Sequence, residues 1–378
     1  MPHAEAEVSL SAISGNVARL KSATPAEVMA VVKADGYGHG LLECARASLA
    51  GGASWLGVAL IEEALALRAA GLDAPTLAWL WSPSESEAVR AAVRAGVDLS
   101  VGGSWSLAAV TAAARETGKP ARIHLKIDTG LSRNGCYVDD WPELLAAVAQ
   151  ARAAGEVEPV GVWSHFAFAD APGHPVIARQ LAAFRDALGV AGRHGITPQV
   201  RHIANSAAAL TLPEAHFDLV RPGVAVVGLS PIPGQGFGLT PAMTLRAELA
   251  QVKRVRAGEG VSYGHTHTTA RATTLALVPL GYADGIPRHA GNRGPVMING
   301  ARFTVSGRVC MDQFVVDIGD HQAAPGDSVV LFGPGNDGEP TAQDWADAAD
   351  TIHYEIVTRL GPRVPRVYRD QGEPCHRR

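Results

Sequence analysis

The sequence predicts an α/β protein, a (β/α)8 TIM barrel followed by a mostly β C-terminal domain. Three observations predict it. Between about residues 28 and 223, eight short apolar, β-branched runs alternate with alanine-rich segments of helical spacing. Polar and ionisable residues gather at the ends of those runs, where a barrel places its chemistry. After about residue 240 the texture changes to closely spaced strand-like runs with turn residues between them.

The barrel strands are expected at residues 28–33, 55–60, 76–81, 98–101, 122–128, 159–165, 199–204 and 219–221. Ser82-Pro83-Ser84-Glu85 reads as a capping box with proline at the first helical position, and Gly96 as the glycine that closes that helix. Ile177, Leu181, Phe184 and Leu188 mark the apolar face of a later helix and belong to the core. The Gly- and Pro-rich stretch 231–241 reads as a linker. The barrel domain is therefore expected over residues 11–235 and the β domain over 236–378, joined by residues 1–10 through a strand at 7–10. Strands of the second domain are expected at 244–255, 273–280, 295–298, 302–305, 313–318 and 327–332. Asn299-Gly300 forms a tight hairpin, and a single helix follows over about 341–360.

Composition narrows the function. In a chain of 378 residues, 47% apolar and 19% charged residues describe an ordinary globular protein, long enough for a barrel plus a smaller domain. A formal charge of -4 gives no reason to expect a nucleic acid or an anionic membrane surface, and no apolar run reaches membrane-spanning length. The start Met1-Pro-His-Ala-Glu-Ala-Glu lacks the basic-then-apolar order of a signal peptide, so a cytoplasmic location is expected. Cys44, Cys136, Cys310 and Cys375 show no metal spacing, and neither a metal site nor a disulfide framework is expected.

Lys33 carries the strongest chemical signal. Only five of the 33 basic residues are lysine, and two of these, Lys33 and Lys126, end apolar runs. Burial penalises the ammonium form and turns the amine into a nucleophile, which forms Schiff bases with carbonyl compounds such as pyridoxal phosphate. A strand-end lysine that snorkels to water is the ordinary alternative. On the same rim lie Asp128, His165, His202, Asn205 and Arg221. In barrels the loops after strands seven and eight commonly bind phosphate. Here they read Asn205-Ser206-Ala207 and Arg221-Pro222-Gly223-Val224. Taken singly, Ser206 reads as an N-cap and Gly223 as a turn; together, across from Lys33, they favour a phosphorylated cofactor.

Motifs along nearly the whole chain then converge. They are Ala30-Val-Val-Lys-Ala-Asp-Gly-Tyr-Gly-His-Gly40, Lys126-Ile-Asp-Thr-Gly-Leu-Ser-Arg133, Ser164-His-Phe-Ala167, His202-Ile-Ala-Asn-Ser206 and Arg221-Pro-Gly-Val224. Further on come Val261-Ser-Tyr-Gly264, Gly281-Tyr-Ala-Asp-Gly285, Gly307-Arg-Val-Cys-Met-Asp-Gln313 and Tyr354-Glu355. In this order they closely resemble the alanine racemases, which use pyridoxal 5'-phosphate and interconvert L- and D-alanine, supplying D-alanine for peptidoglycan. The resemblance implies that Lys33 carries the cofactor in a Schiff base. Tyr37, Asn205, Ser206, Gly223, Val224 and Tyr354 belong to its binding set, most of them at the phosphate. Arg221 is implied to face the ring nitrogen. His165 stacking on the ring and His202 orienting Arg221 are the expected roles of the two histidines, with a rim histidine satisfied by backbone as the alternative for each. His39 supports the loop after Lys33.

The resemblance also implies two opposed bases, Lys33 and Tyr263. A phenol is a weak base near neutrality, so such a role needs neighbouring cations or concerted proton relay. In this family the tyrosine comes from the partner subunit of a head-to-tail homodimer, with Tyr282 and the segment Cys310-Met311-Asp312 crossing too. Met311 then meets the substrate carboxylate, Arg133 meets that carboxylate or the cofactor's ring oxygen, and Tyr282 lines the entrance. Lys126 is implied to be carbamylated and to hold Arg133; a simple Asp128–Lys126 ion pair is the alternative. Asp35-Gly36, Leu131, Val227 and His353 depart from the common pattern and remove no catalytic group. Racemisation of another small amino acid such as serine is the second reading. A decarboxylase, a barrel-type pyridoxal-phosphate carrier and a cofactor-free aldolase fit less of the chain.

Overall fold

The structure is a computed structural model that describes residues 3–369, and Cys375 lies outside the described residues. Two compact units are present. One comprises Ile13–Gly36 and Leu41–Leu239; the other comprises the described parts of Met1–Ala12, Tyr37–Gly40 and Thr240–Arg378. The four residues Tyr37–Gly40 group with the β-rich unit although the chain around them is barrel.

Strand β1 (Ala4–Ser9) belongs to the β-rich unit. The barrel follows as β2 (Glu27–Val31), β3 (Trp55–Val58), β4 (Thr76–Ala78), β5 (Asp98–Val101), β6 (Ala121–Lys126), β7 (Val157–Trp163), β8 (Val200–His202) and β9 (Leu219–Val220). All pairs are parallel, in the order β8-β7-β6-β5-β4-β3-β2-β9. The remaining seam is joined by Asp218 N donating to Arg201 O (3.2 Å) and Arg221 N donating to Ala204 O (2.9 Å). Helices cover the outside, which is why the strands read as unbroken apolar runs. Met29, Trp55, Leu77, Val160, Val200 and Leu219 form one buried cluster inside.

Most of the strands stop short of the apolar runs. Lys33, Asp128, His165, Asn205 and Arg221 sit one to three residues beyond the ladder, in the mouth loops, while Lys126 and His202 are final strand residues. The apolar pattern tracks side-chain burial, which continues past the point where the strands splay. Ser82–Glu85 is a second difference. The helix there is Ser86–Arg94, and the Glu85 carboxylate accepts from Ser82 N to close a turn ahead of it. Gly96 does close the helix, with Gly96 N on Val93 O (3.2 Å) and Val97 N on Ala92 O (3.0 Å). In helix Pro175–Arg193, Ile177, Leu181 and Phe184 are buried and Leu188 is half-buried.

In the β-rich unit the strands are β10 (Met243–Glu248), β11 (Gln251–Val255), β12 (Gly260–Val261), β13 (His267–Thr268), β14 (Thr273–Val278), β15 (Pro295–Ile298), β16 (Ala301–Thr304), β17 (Phe314–Gly319), β18 (Ser328–Phe332) and β19 (Arg366–Arg369). A six-stranded sheet runs β16-β15-β18-β10-β1-β19, a three-stranded sheet runs β11-β14-β17, and β12 pairs with β13. The run 244–255, expected as one strand, is two strands in two sheets. The break lies where Leu249 N bonds Asp327 O and the next amide, Ala250 N, bonds Leu277 O. The hairpin is as expected: Ile298 pairs with Ala301, and Asn299 and Gly300 both have positive φ. The single helix over 341–360 is instead Ala342–Ala348 and His353–Thr358. Asp350, at φ +52° in the break, accepts from Arg293 Nη1 (3.0 Å) and His289 Nε2 (3.1 Å). That tertiary anchoring overrides the local helical pattern. Among the described residues no helix is long and apolar enough to cross a membrane, and no cluster of side chains has the makings of a metal site.

Candidate active site

The chain leaves β2 through a left-handed turn. Ala34, Asp35, Gly36 and Tyr37 have φ of 54°, 54°, 61° and 56°. Such a conformation costs about 1–2 kcal/mol for each non-glycine residue, so the surroundings must hold it. Glu63 Oε1 accepts from Ala34 N (2.6 Å), its Oε2 accepts from Ala59 N and Leu60 N, and Asp35 Oδ1 accepts from Leu41 N (2.8 Å). The turn fixes Lys33, whose Nζ lies 5.8 Å from the centre of the Trp79 ring. Burial and then the nearby Arg133 charge lower its pKa, while Glu63 raises it. A larger fraction of this amine is therefore unprotonated near neutral pH than in a surface lysine, and so available as a nucleophile or base.

Three further cations share the mouth. Lys126 is buried with Nζ 4.3 Å over Trp163, and burial followed by Arg221, Arg133 and Lys33 brings its pKa down to about 7. Asp128 opposes this shift, yet its Oδ1 is committed to Gly130 N, Leu131 N and Ser132 N. Arg133 is exposed and has no side-chain hydrogen bond or ion pair among the described residues. Buried Arg221 donates from Nη1 to His202 Nδ1 (3.1 Å), and from Nη2 to Ser164 O (2.9 Å) and His165 Nδ1 (3.1 Å). Burial pushes its pKa down to about 9, which still leaves it protonated at neutral pH. Burial, then Arg221, Arg133 and the two lysines, hold His165 well below its ordinary pKa, so its ring is neutral and Nδ1 is the acceptor. Two arginines with two lysines, Lys126 only about half charged near neutral pH, make the mouth an anion-seeking site.

The Lys126 shift has a consequence for stability. Between pH 7 and the ordinary lysine value of 10.5, the unfolded chain binds a proton at this position that the unmodified folded chain does not. Unfolding free energy from Lys126 therefore rises with pH across that window, and below it the folded state carries an uncompensated charge. Lys126→Met is expected to raise the urea midpoint at pH 6 and to gain least at pH 10. An equal gain at both values would contradict the burial of a neutralised amine.

Across the mouth, Asn205 is the N-cap of helix Ser206–Thr211, with Oδ1 accepting from Ala208 N (3.1 Å). The cap is Asn205 and not Ser206, which leaves the serine for another task. Its Oγ accepts from Gly223 N (2.8 Å) and Ala225 N (3.4 Å), joining the two mouth loops and leaving its hydroxyl hydrogen free to donate. The Val224 N–H, in a residue 1% exposed, finds no acceptor among the described residues. An unspent hydroxyl hydrogen and an orphaned amide beside four cations fit a phosphate group.

The remaining sequence-indicated residues belong to the β-rich unit. Tyr37 is buried and lies 6.4 Å from Tyr354, ring to ring; burial and then Tyr354 raise its pKa. Buried His39 bonds Tyr37 O through Nδ1 (2.9 Å) and so supports that loop. Tyr263, Tyr282 and Met311 are 72%, 43% and 54% exposed. Their loops are tied together by Tyr282 N on Cys310 O (3.0 Å), Ala283 N on Met311 O (2.9 Å) and Ser262 Oγ on Arg308 O (2.7 Å). A Cβ on Gly281 would fall 2.3 Å from Met311 O. Gly281→Ala is thus expected to force these loops apart and to cost more than about 2 kcal/mol of unfolding free energy; an unchanged denaturation midpoint would contradict this.

Several residues escaped the sequence reading. Gln180 lies on the apolar stripe with Ile177 and Leu181, accepts from Ala167 N (2.8 Å) and donates to His165 O (3.1 Å). A glutamine inside an apolar stripe was the available signal. Trp163 supports Lys126 and Arg221 at once and stacks on His202. As an apolar residue in an apolar run it gave none.

Residues 8–231 match the family profile of the alanine racemase N-terminal domain, and residues 242–368 that of the C-terminal domain. The chain is 60% identical over 369 residues to the alanine racemase of Salinispora tropica, covering 97% of this chain and 99% of that protein. It is 61% identical over 367 residues to that of Thermobifida fusca, covering 97% and 98%. The crystal structure of alanine racemase from D-cycloserine-producing Streptomyces lavendulae superposes with a TM-score of 0.96 at 56% identity, covering 100% of this chain and 99% of that one. The Streptomyces coelicolor structure superposes with a TM-score of 0.95 at 57% identity, covering 97% and 98%. The chain belongs to the alanine racemase family and is an isomerase.

Proposed function

We propose that this protein interconverts L- and D-alanine with pyridoxal 5'-phosphate, in the cytoplasm, and supplies D-alanine for peptidoglycan. The observation that carries the reading is the Lys33 amine, lowered in pKa by burial and Arg133, at a mouth that holds three more cations. Lys33 Nζ would hold the cofactor covalently. Ser206, Gly223, Val224, Tyr37 and Tyr354 would hold its phosphate, with Asn205 fixing the loop that carries Ser206. Arg221 would face the ring nitrogen and His165 the ring. When bound, the cofactor supplies an electron-withdrawing ring that acidifies the Cα–H of an amino acid joined to it.

The chain's own residues do the rest. The Lys33 amine moves a proton at one face of Cα and the Tyr263 hydroxyl at the other. Arg221 does not release its proton near neutrality, so it offers the ring nitrogen a hydrogen bond without protonating it. Charge then stays closer to Cα, which favours rapid return of a proton. Arg133 and Met311 would bind the carboxylate, and Tyr282 with Tyr354 would limit the substrate to a small side chain. The exposure of Tyr263, Tyr282 and Met311 on bonded loops supports a head-to-tail homodimer in which each subunit completes its partner's site. A Lys126 that is about half neutral near pH 7 can attack carbon dioxide and lose a proton to form a carbamate, whose negative charge would hold Arg133. Crystallographic density on Nζ tests that step.

Circular dichroism of L-alanine incubated with the protein, with and without added cofactor, tests the proposal. Decay of the signal towards zero is expected, faster with cofactor. Carbon dioxide release, or racemisation of L-serine ahead of L-alanine, would overturn it.

A further inference from the structure

A line of buried polar side chains descends from the mouth into the barrel. Arg221 Nη1 donates to His202 Nδ1 (3.1 Å), His202 Nε2 meets His124 Nδ1 (2.8 Å), and His124 Nε2 meets Asp98 Oδ2 (3.1 Å). Arg122 grips Asp98 through Nε–Oδ1 (2.6 Å) and Nη2–Oδ2 (3.2 Å) and reaches Glu158 through Nη1 (3.3 Å). His202, His124 and Asp98 are wholly buried. Burial pushes the Asp98 carboxyl up, but the bonds from His124 and Arg122 hold it below the usual range, so it is a carboxylate.

The two ends permit one arrangement of hydrogens. A guanidinium has no acceptor and a carboxylate has no donor. Asp98 must accept, so His124 carries its hydrogen on Nε2 and presents a lone pair at Nδ1. That lone pair accepts from His202 Nε2–H, which leaves His202 Nδ1 free to accept from Arg221. The reverse tautomer of His202 would set an N–H against the guanidinium. Nη2 has other acceptors in Ser164 O and His165, but His202 is the one partner of Nη1 among the described residues. The barrel also makes room for this line. The β6–β7 register shifts between Ile123 and His124, which places His124 opposite Gly161, and a Cβ on Gly161 would lie 2.3 Å from His124 Nδ1.

We propose that His124 and Asp98 are positioning residues that hold His202 in its Nε2–H tautomer and thereby fix Arg221 at the mouth. What Arg221 faces rests on the function proposed above; the tautomer does not. Long-range 1H–15N NMR on the full chain, labelled at histidine and without cofactor, reads the ring nitrogens directly. Wild-type His202 and His124 are expected to be protonated at Nε2 and bare at Nδ1. In His124→Phe, and in Asp98→Asn as a second variant, His202 is expected to lose its single tautomer. Loaded with cofactor, the variants are expected to show a shifted visible absorption band and a fall of about ten- to a hundredfold in kcat, with KM changed less. A wild-type His202 protonated at Nδ1 overturns the proposal even if neither variant folds. Retention of the wild-type tautomer in both folded variants overturns it as well. A wild-type protein with the expected tautomers and no racemase activity would overturn the cofactor reading alone.

Discussion

Lys33→Ala is expected to abolish racemisation from both enantiomers. Under the proposed function, the substitution removes a covalent attachment point and a base together. Base catalysis alone contributes about 10²–10⁴-fold, so a fall of at least about 10⁴ is expected. The fold should survive. Lys33 is half-buried with a destabilised charge, and the left-handed turn beyond it is held by Glu63 and Asp35, which the variant keeps. Purified Lys33→Ala should lose the visible absorption of the wild type, and added methylamine should restore part of the rate by replacing the missing amine. Activity within tenfold of wild type would remove Lys33 from the chemistry.

Tyr263→Phe carries the second largest effect. It should depress proton exchange from one enantiomer by about 10²–10⁴-fold and leave exchange from the other much less affected in single turnover. Because the side chain is 72% exposed, the thermal midpoint should hardly move. Equal loss for both enantiomers would undo the assignment of opposed bases. Mixing the Lys33→Ala and Tyr263→Phe proteins extends the test to the assembly. In a dimer with shared sites, a mixed pair has one site with both defects and one intact. Random exchange should therefore restore roughly a quarter of wild-type activity. No recovery after demonstrated subunit exchange would argue against sharing.

Much of the molecule could be read from local pattern. Eight apolar runs separated by helical segments were enough for a barrel, and the hairpin at Asn299-Gly300 followed from two residues. Lys33 and Lys126 stood out because a charge closing an apolar run is costly. Local pattern misled where tertiary bonds intervened. Residues 244–255 look like one strand, but adjacent amides at 249 and 250 bond to different sheets. Residues 341–360 look like one helix, but Asp350 is drawn out by Arg293 and His289.

Element type and order are local properties. They depend on which side of the chain is buried, and the spacing of apolar residues records that directly. The character of the site is not local. Asp98, His124, His202 and Arg221 each read as one polar residue in or beside a strand, and nothing in their spacing joins them. Only barrel closure brings them into hydrogen-bonding distance. The same holds for the lowered pKa of Lys126, which burial and Arg221 cause most. It holds too for the division of labour in which Asn205 caps a helix and Ser206 joins two mouth loops. Desolvation and Coulomb interactions act through space. The sequence therefore determined which groups stand at the barrel mouth, and the tertiary structure decided their charge, their partners and their tasks.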